Sequence, residues 1–171
     1  MSKHAPAPTA TFVGYKTKAG GKIVQEWYDG ISQIDRDEII DTINHLLPLP
    51  VTEWRRPQFD KVDAPLVEIR CKSSQANHAI RMYGVFDETI RGRIILLYGT
   101  DAKKADKDKA GQKLAIERLK LLKQGKGATD EFHFEKKPTG ASTPQQGVKN
   151  AASVLQFGQG NRVSNPSHKK R

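Results

Sequence analysis

The sequence predicts an α+β domain: an antiparallel sheet with a helix hairpin near the N-terminus and a further helix after the central strands. Three β-type runs follow one another closely between residues 66 and 98, joined by short polar links. Apolar residues at helical spacing flank that block, over residues 23–47 and 106–124. With 171 residues, 36% of them hydrophobic, the chain holds one domain and an appendage.

"TATFVGYKT" (9–17) has strand composition and "KAGGK" supplies a turn after it. Ile23, Val24, Trp27, Tyr28 and Ile31 then recur at helical spacing. A second helix is expected from Asp35 as N-cap, with Glu38 three residues on, and with Ile39, Ile43, Leu46 and Leu47 on one face. "PLP" at 48–50 stops it, because proline removes a donor and restricts the residue before it. Residues 51–64 are expected to form a loop.

In "PLVEIRCK", Val67, Ile69 and Cys71 alternate with Leu66, Glu68 and Arg70. "HAIRMYGVFD" sets Ile80, Met82 and Phe86 against Arg81, Tyr83 and Val85, and "GRIILLYG" is apolar throughout, as a strand covered on both sides requires. A third helix is predicted from about Asp106 to Gln124, with Ala110, Leu114, Leu121 and Leu122 on its buried face and Gly125 as its stop. "DEFHFEK" (130–136) alternates and suggests one more strand. The implied domains are a flexible N-terminus (1–9), a folded domain (10–136) and a basic tail (137–171) rich in Pro, Gly, Ser, Gln and Asn.

The formal net charge of +10 points to a polyanionic partner: nucleic acid, an anionic membrane surface or an acidic protein. The charge is uneven. From Lys136 onward there are seven Lys/Arg and no Asp or Glu, which leaves +3 for the first 135 residues. A lone cysteine, Cys71, excludes an intrachain disulfide and suits a reducing compartment; its alternating apolar setting suggests a small buried hydrophobe. No stretch approaches the roughly 18 apolar residues of a membrane span, and the expectation is a soluble cytoplasmic protein without a membrane partner.

Searches for familiar chemistry exclude several classes. "KAGGK" lacks the spacing of a phosphate loop, the five histidines lack metal-ligand spacing, and no serine sits in a nucleophile elbow. No metal or other cofactor is implied. What remains is a set of cations. Arg70 and Arg81 lie on successive strands, and Lys103 and Lys104 follow the third directly. If these strands are neighbours, the four side chains converge on one patch, sufficient to cut RNA with its own 2′-hydroxyl as nucleophile. A solvated helix start explains the lysines equally, and an ion pair with Glu68 explains Arg70. Tyr83, Tyr98 and Trp54 are either core residues or base-stacking platforms; His78 and His133 are either structural or functional.

The block "APLVEIRCKSSQANHAIRMYGVFDETIRGRIILLYGTDAKK" resembles the RelE/ParE toxin superfamily, most closely its HigB-like, phage-derived branch. The resemblance rests on Val67-Glu68-Ile69-Arg70, Arg81, the apolar strand and Lys103-Lys104, in that order, within about residues 10–125. It implies a RelE-like fold and the toxin of a type II toxin–antitoxin pair. Such a toxin acts as a metal-independent, ribosome-dependent mRNA endonuclease and is neutralised by a small antitoxin, often of helix-turn-helix type. Carried over by position, Arg70, Arg81, Lys103 and Lys104 form the catalytic set, with Lys72, Tyr98, Lys107, His78 and His133 as RNA-binding candidates. Two other outcomes stand beside it: a ParE-like gyrase inhibitor, and a non-catalytic nucleic-acid- or partner-binding protein of phage or mobile-element origin.

Overall fold

A computed structural model describes residues 10–75, 78–102 and 108–134. In chain order these form Thr11–Thr17 (β1), Ile23–Gly30 (α1), Gln33–Leu46 (α2), a 3-10 turn at Val51–Glu53, Phe59–Lys61 (β2), Val67–Lys72 (β3), Ala79–Phe86 (β4), Arg93–Ala102 (β5), Lys109–Lys123 (α3) and Gly127–Glu131 (β6). The fold is α+β, as expected. The strands make one six-stranded sheet in the order β2-β3-β4-β5-β1-β6.

The sheet is mixed rather than antiparallel. β1 runs parallel to β5, with Thr11 opposite Arg93 and Gly14 opposite Leu96, while all other neighbours are antiparallel. A strand's period-two pattern records which face is buried but not which way its neighbour runs.

Other departures from expectation have local causes. Ser32, not Asp35, caps α2, its Oγ accepting from the Asp35 amide at 3.1 Å. Asp35 instead sits inside the first turn, where a carboxylate favours the positive end of the helix dipole. The expected helix hairpin is replaced by two helices that pack on different parts of the sheet, α1 on β1 and β5, α2 on β3. Arg36 joins them, its Nη1 donating to the Asp29 and Ile31 carbonyls at 2.8 Å. The 51–64 segment holds the 3-10 turn and β2, a strand too short for a periodic signal. The last strand lies three residues earlier than expected, at Gly127–Glu131, with Phe132 and Phe134 packing into the aromatic cluster around Tyr28.

Side chains opposite one another in a ladder share a face. One face carries Ile69, Cys71, Ile80, Met82, Ile94 and Leu96, all buried, and meets α1 and α2 through Val24, Tyr28, Ile39, Ile43 and Leu46. The other carries Glu68, Arg81, Tyr83, Tyr98 and Tyr15 and is covered by α3. The buried side of α3 is Gly111 and Ala115; the predicted Ala110, Leu114 and Leu121 face outward, Leu114 at 39% exposure. Small residues win because the helix lies close on the sheet: a side chain at Gly111 would run into Tyr98 and Asp108. Gly125, with φ of 67°, ends α3 as the sequence suggested. No described helix is long and apolar enough to cross a membrane.

Two close details fix the centre of the sheet. The Trp27 ring of α1 lies directly over Gly99, where any Cβ would enter the ring. Gly99→Ala should therefore cost about 1–3 kcal/mol through overpacking, read as a lower midpoint in denaturant with little change in slope. At the β4–β5 turn, Asp87 accepts from the Thr89 hydroxyl (2.6 Å), the Thr89 amide (2.7 Å) and Arg93 Nε (2.7 Å). The Thr89 hydroxyl foremost, then the backbone amides and Arg93, hold the Asp87 carboxyl well below the usual range. Because its folded pKa is depressed, its contribution is present above the ordinary carboxylate pKa and is lost as pH falls below it. Asp87→Asn should flatten the acid limb of the stability–pH curve, measured by urea unfolding from pH 6 down to about pH 3.

Candidate functional site

The site follows from the register of three strands. Glu68, Tyr83 and Tyr98 form one row across β3, β4 and β5; Arg70, Arg81 and Thr100 form the next; Lys72, Ala79 and Ala102 form the third. Strands lie about 4.8 Å apart and alternate residues about 7 Å apart along each. Arg70, Lys72 and Arg81 thus occupy one small corner of the α3-facing sheet. The chain leaves that corner at Ala102; Lys103, Lys104 and Lys107 lie outside the described residues.

Within the corner, charge is organised around Glu68. Its Oε1 accepts from Arg81 Nη1 at 2.5 Å and its Oε2 from Arg70 Nη2 at 2.8 Å. Glu68 is 1% exposed and Arg81 2%, whereas the Arg70 side chain is 33% exposed. Burial opposes the Arg81 charge, and the Glu68 carboxylate more than offsets it, leaving its pKa raised. One carboxylate between two guanidiniums leaves an excess positive charge, and Arg70 is the member that reaches solvent. Beneath α3, burial chiefly, with the Glu68 and Asp108 charges, pushes the Tyr83 phenol up to about 12, so it stays protonated at neutral pH. Asp108 caps α3, its Oδ1 accepting from the Gly111 amide at 2.8 Å.

Tyr98 lies in the layer between the sheet and α3. The Arg118 guanidinium sits 5.2 Å from its ring centre and 5.7 Å from that of Tyr15, and donates to the Leu97 carbonyl at 2.7 Å. This occupies the Tyr98 face that a base would stack on. Nothing in the sequence pattern marks Arg118 for this role, since it falls among the lysines of a basic helix.

His78 stands at the start of β4, and its side chain is 10% exposed. Its Nε2 is buried without a hydrogen bond, 3.9 Å from Asp35 Oδ2, and Asp35 Oδ1 is likewise unbonded. His78, Arg70 and Lys72 all border a cleft of about 400 Å³ that is completed by Glu38, Thr42, Pro57 and Gln58. Cys71 also lines it, with its thiol pushed up to about 11 by burial, which makes it unreactive at neutral pH. A second cleft of about 360 Å³ shares Pro57 and Gln58 with the first and includes His45, Arg55 and Arg56.

Of the predicted residues, Arg70, Lys72, Arg81 and His78 therefore gather at one end of β3 and β4. His133 does not. It follows β6, at the opposite edge of the sheet, where its amide and carbonyl bond the Gln25 side chain at 2.9 and 3.0 Å. Among the described residues, no group of three or more His, Cys, Asp or Glu is placed to share a metal ion.

Neither the protein-family models nor the curated proteins include a match to this chain.

The two arginines should behave differently. Arg81→Ala leaves the buried Glu68 carboxylate to the partly exposed Arg70 and should cost roughly 3–5 kcal/mol, whereas Arg70→Ala, at a site one-third exposed, should cost at most about 1 kcal/mol. Urea unfolding of the two variants checks this; equal losses would show that Glu68 does not discriminate between its partners.

Proposed function

We propose that the chain is a RelE-like toxin of a type II toxin–antitoxin pair, acting as a metal-independent mRNA endonuclease on the ribosome and held in check by a cognate antitoxin. The observation that carries this reading is the shared corner: Arg70, Arg81 and Lys72 stand in adjacent rows, and the chain continues from that corner into Lys103 and Lys104. Arg70, Arg81 and the Lys103-Lys104 pair are, in chain order, residues on which the family resemblance rests; Lys72 is an RNA-binding candidate.

The corner suits cleavage of a phosphodiester by its neighbouring 2′-hydroxyl. The 2′-oxygen attacks phosphorus, the bond to the 5′-oxygen breaks, and a 2′,3′-cyclic phosphate and a 5′-hydroxyl result. One lysine of the 103–104 pair takes the 2′-proton and the other protonates the leaving oxygen. Arg70, fixed by Glu68, stabilises the extra charge on the phosphoryl oxygens. In this scheme Arg81 acts through Glu68 and does not touch RNA, which departs from the expectation that it belongs to the catalytic set.

The burial of Arg81 also favours a second reading, in which the domain binds gyrase or another partner without cutting anything. Expression in growing cells separates the two. The endonuclease arrests growth with mRNA cleaved in translated regions, and Arg70→Ala with Lys104→Ala relieves the arrest by at least tenfold in plating efficiency. A gyrase inhibitor produces DNA damage with intact mRNA and tolerates both substitutions. Arrest that persists in the double variant with intact mRNA overturns the endonuclease assignment.

A further inference from the structure

The corner that faces α3 is one side of β3; the clefts lie on the α2 side, and Arg70, the arginine of the proposed chemistry, also borders the first of them. Their construction is specific. The first has an apolar lining at Pro57, Cys71 and Ala79, with Gln58, Thr42, Glu38 and His78 as polar groups and two cations, Arg70 and the exposed Lys72, at its border. The second, across Pro57 and Gln58, is bordered by the exposed Arg55. Arg56 is already engaged by Asp60, at 2.5 Å, whereas among the described residues no ion pair holds Arg55.

We propose that these two clefts take two successive nucleotides of a single-stranded polynucleotide. Each is within the size of pockets that hold small organic groups, about 300–1,000 Å³. Their mixed lining fits a planar heterocycle, with an amide, a hydroxyl, a carboxylate and an imidazole to meet its edge. Lys72 and Arg55 take the phosphates that join and flank the two nucleotides. A duplex is excluded, because its bases are paired and stacked and cannot enter separate clefts. His78 supplies an independent sign of a missing ligand. It is a nine-tenths buried imidazole bordering the first cleft, unbonded at Nε2 and 3.9 Å from an equally underbonded Asp35. Buried polar groups are seldom left so, and polar contacts of this kind often tighten only when the ligand is in place. The proposal rests on the reading of the chain as acting on RNA, but concerns binding and not cleavage.

The test uses the full chain with fluorescent eight-nucleotide RNA and DNA strands and a duplex of the same sequence. Lys72→Glu with Arg55→Glu, both exposed and so neutral to folding, should weaken single-strand binding tenfold or more and leave duplex binding unchanged. The single changes Lys72→Ala and Arg55→Ala should each lower the salt slope by about 1. The RNA and DNA arms identify which sugar is preferred. Photo-crosslinking from thiolated bases should label the peptides that contain Gln58 and His78. No binding of either strand by the wild-type chain, equal losses for strand and duplex, or crosslinks confined elsewhere would overturn the proposal. A wild-type chain that binds the strand through these peptides but leaves it uncut on translating ribosomes supports the clefts and counts against the endonuclease reading alone.

Discussion

The buried Glu68 carboxylate constrains the α3 side of this protein. A charge that is 1% exposed is tolerable only with partners, and Glu68 has two, Arg81 beneath α3 and Arg70 towards solvent. The triad specifies the pairing of β3 with β4. A one-residue slip would turn Arg81 to the face where Ile80 and Met82 now meet α1 and α2, and would bring an aliphatic side chain under α3. It also sets how cations are presented. Arg81 is spent on Glu68, so the corner offers Arg70 with its planar fork already oriented, which reduces the entropy lost when an anion is bound.

The two sheet faces are therefore different environments made by one alternation. On the α1 and α2 side the packing is mainly aliphatic and aromatic, and Gly99 is left bare so that Trp27 can lie on the strand. On the α3 side, tyrosines and a guanidinium fill the space between sheet and helix, with Arg118 spanning Tyr15 and Tyr98. Gly111 and Ala115 bring α3 near enough to cover that layer. A helix of larger buried residues would stand off the sheet and expose the Glu68–Arg81 pair to water, which solvates both charges but weakens the attraction between them.

Much of the fold was legible because period and punctuation are local. Strands β3 and β4 followed from alternation, β5 from its unbroken apolar run, α2 from Ile39, Ile43 and Leu46, and the end of α3 from Gly125. What was not legible depends on partners distant in sequence. The parallel pairing of β1 with β5 leaves no trace in either strand's pattern. The buried face of α3 was read only in part: Leu122 packs against the core, whereas Ala110, Leu114 and Leu121 face outward, because at Gly111 and Ala115 the close approach to the sheet selects for small size. At the site, the adjacency of Arg70 and Arg81 was readable, since both hold polar positions in successive strands. That one carboxylate takes both was not, because an ion pair with Glu68 was weighed for Arg70 only. The approach of Asp35 to His78 joins a helix start to a strand start, and no spacing rule reports it.

The shortness of β2 connects the two cationic regions. β2 pairs with β3 only as far as Phe59 opposite Ile69. Beyond that point β3 continues through Arg70, Cys71 and Lys72 paired with β4, but with no described strand on its β2 edge; residues 55–58 run there instead, tied by the Arg70 amide donating to the Gln58 carbonyl at 2.8 Å. A fourth or fifth residue of regular β2 would fill the space now bounded by Pro57, Gln58 and α2, and the clefts would close. It would also cover the edge from which Lys72 reaches solvent. The break in the ladder thus leaves an open, partly apolar recess at the end of β3, bordered both by Lys72 and by the Arg70 guanidinium that Glu68 orients. A single strand of nucleic acid seated in the recess, as proposed, would meet Arg70 there, so in that scheme binding and chemistry share this cation.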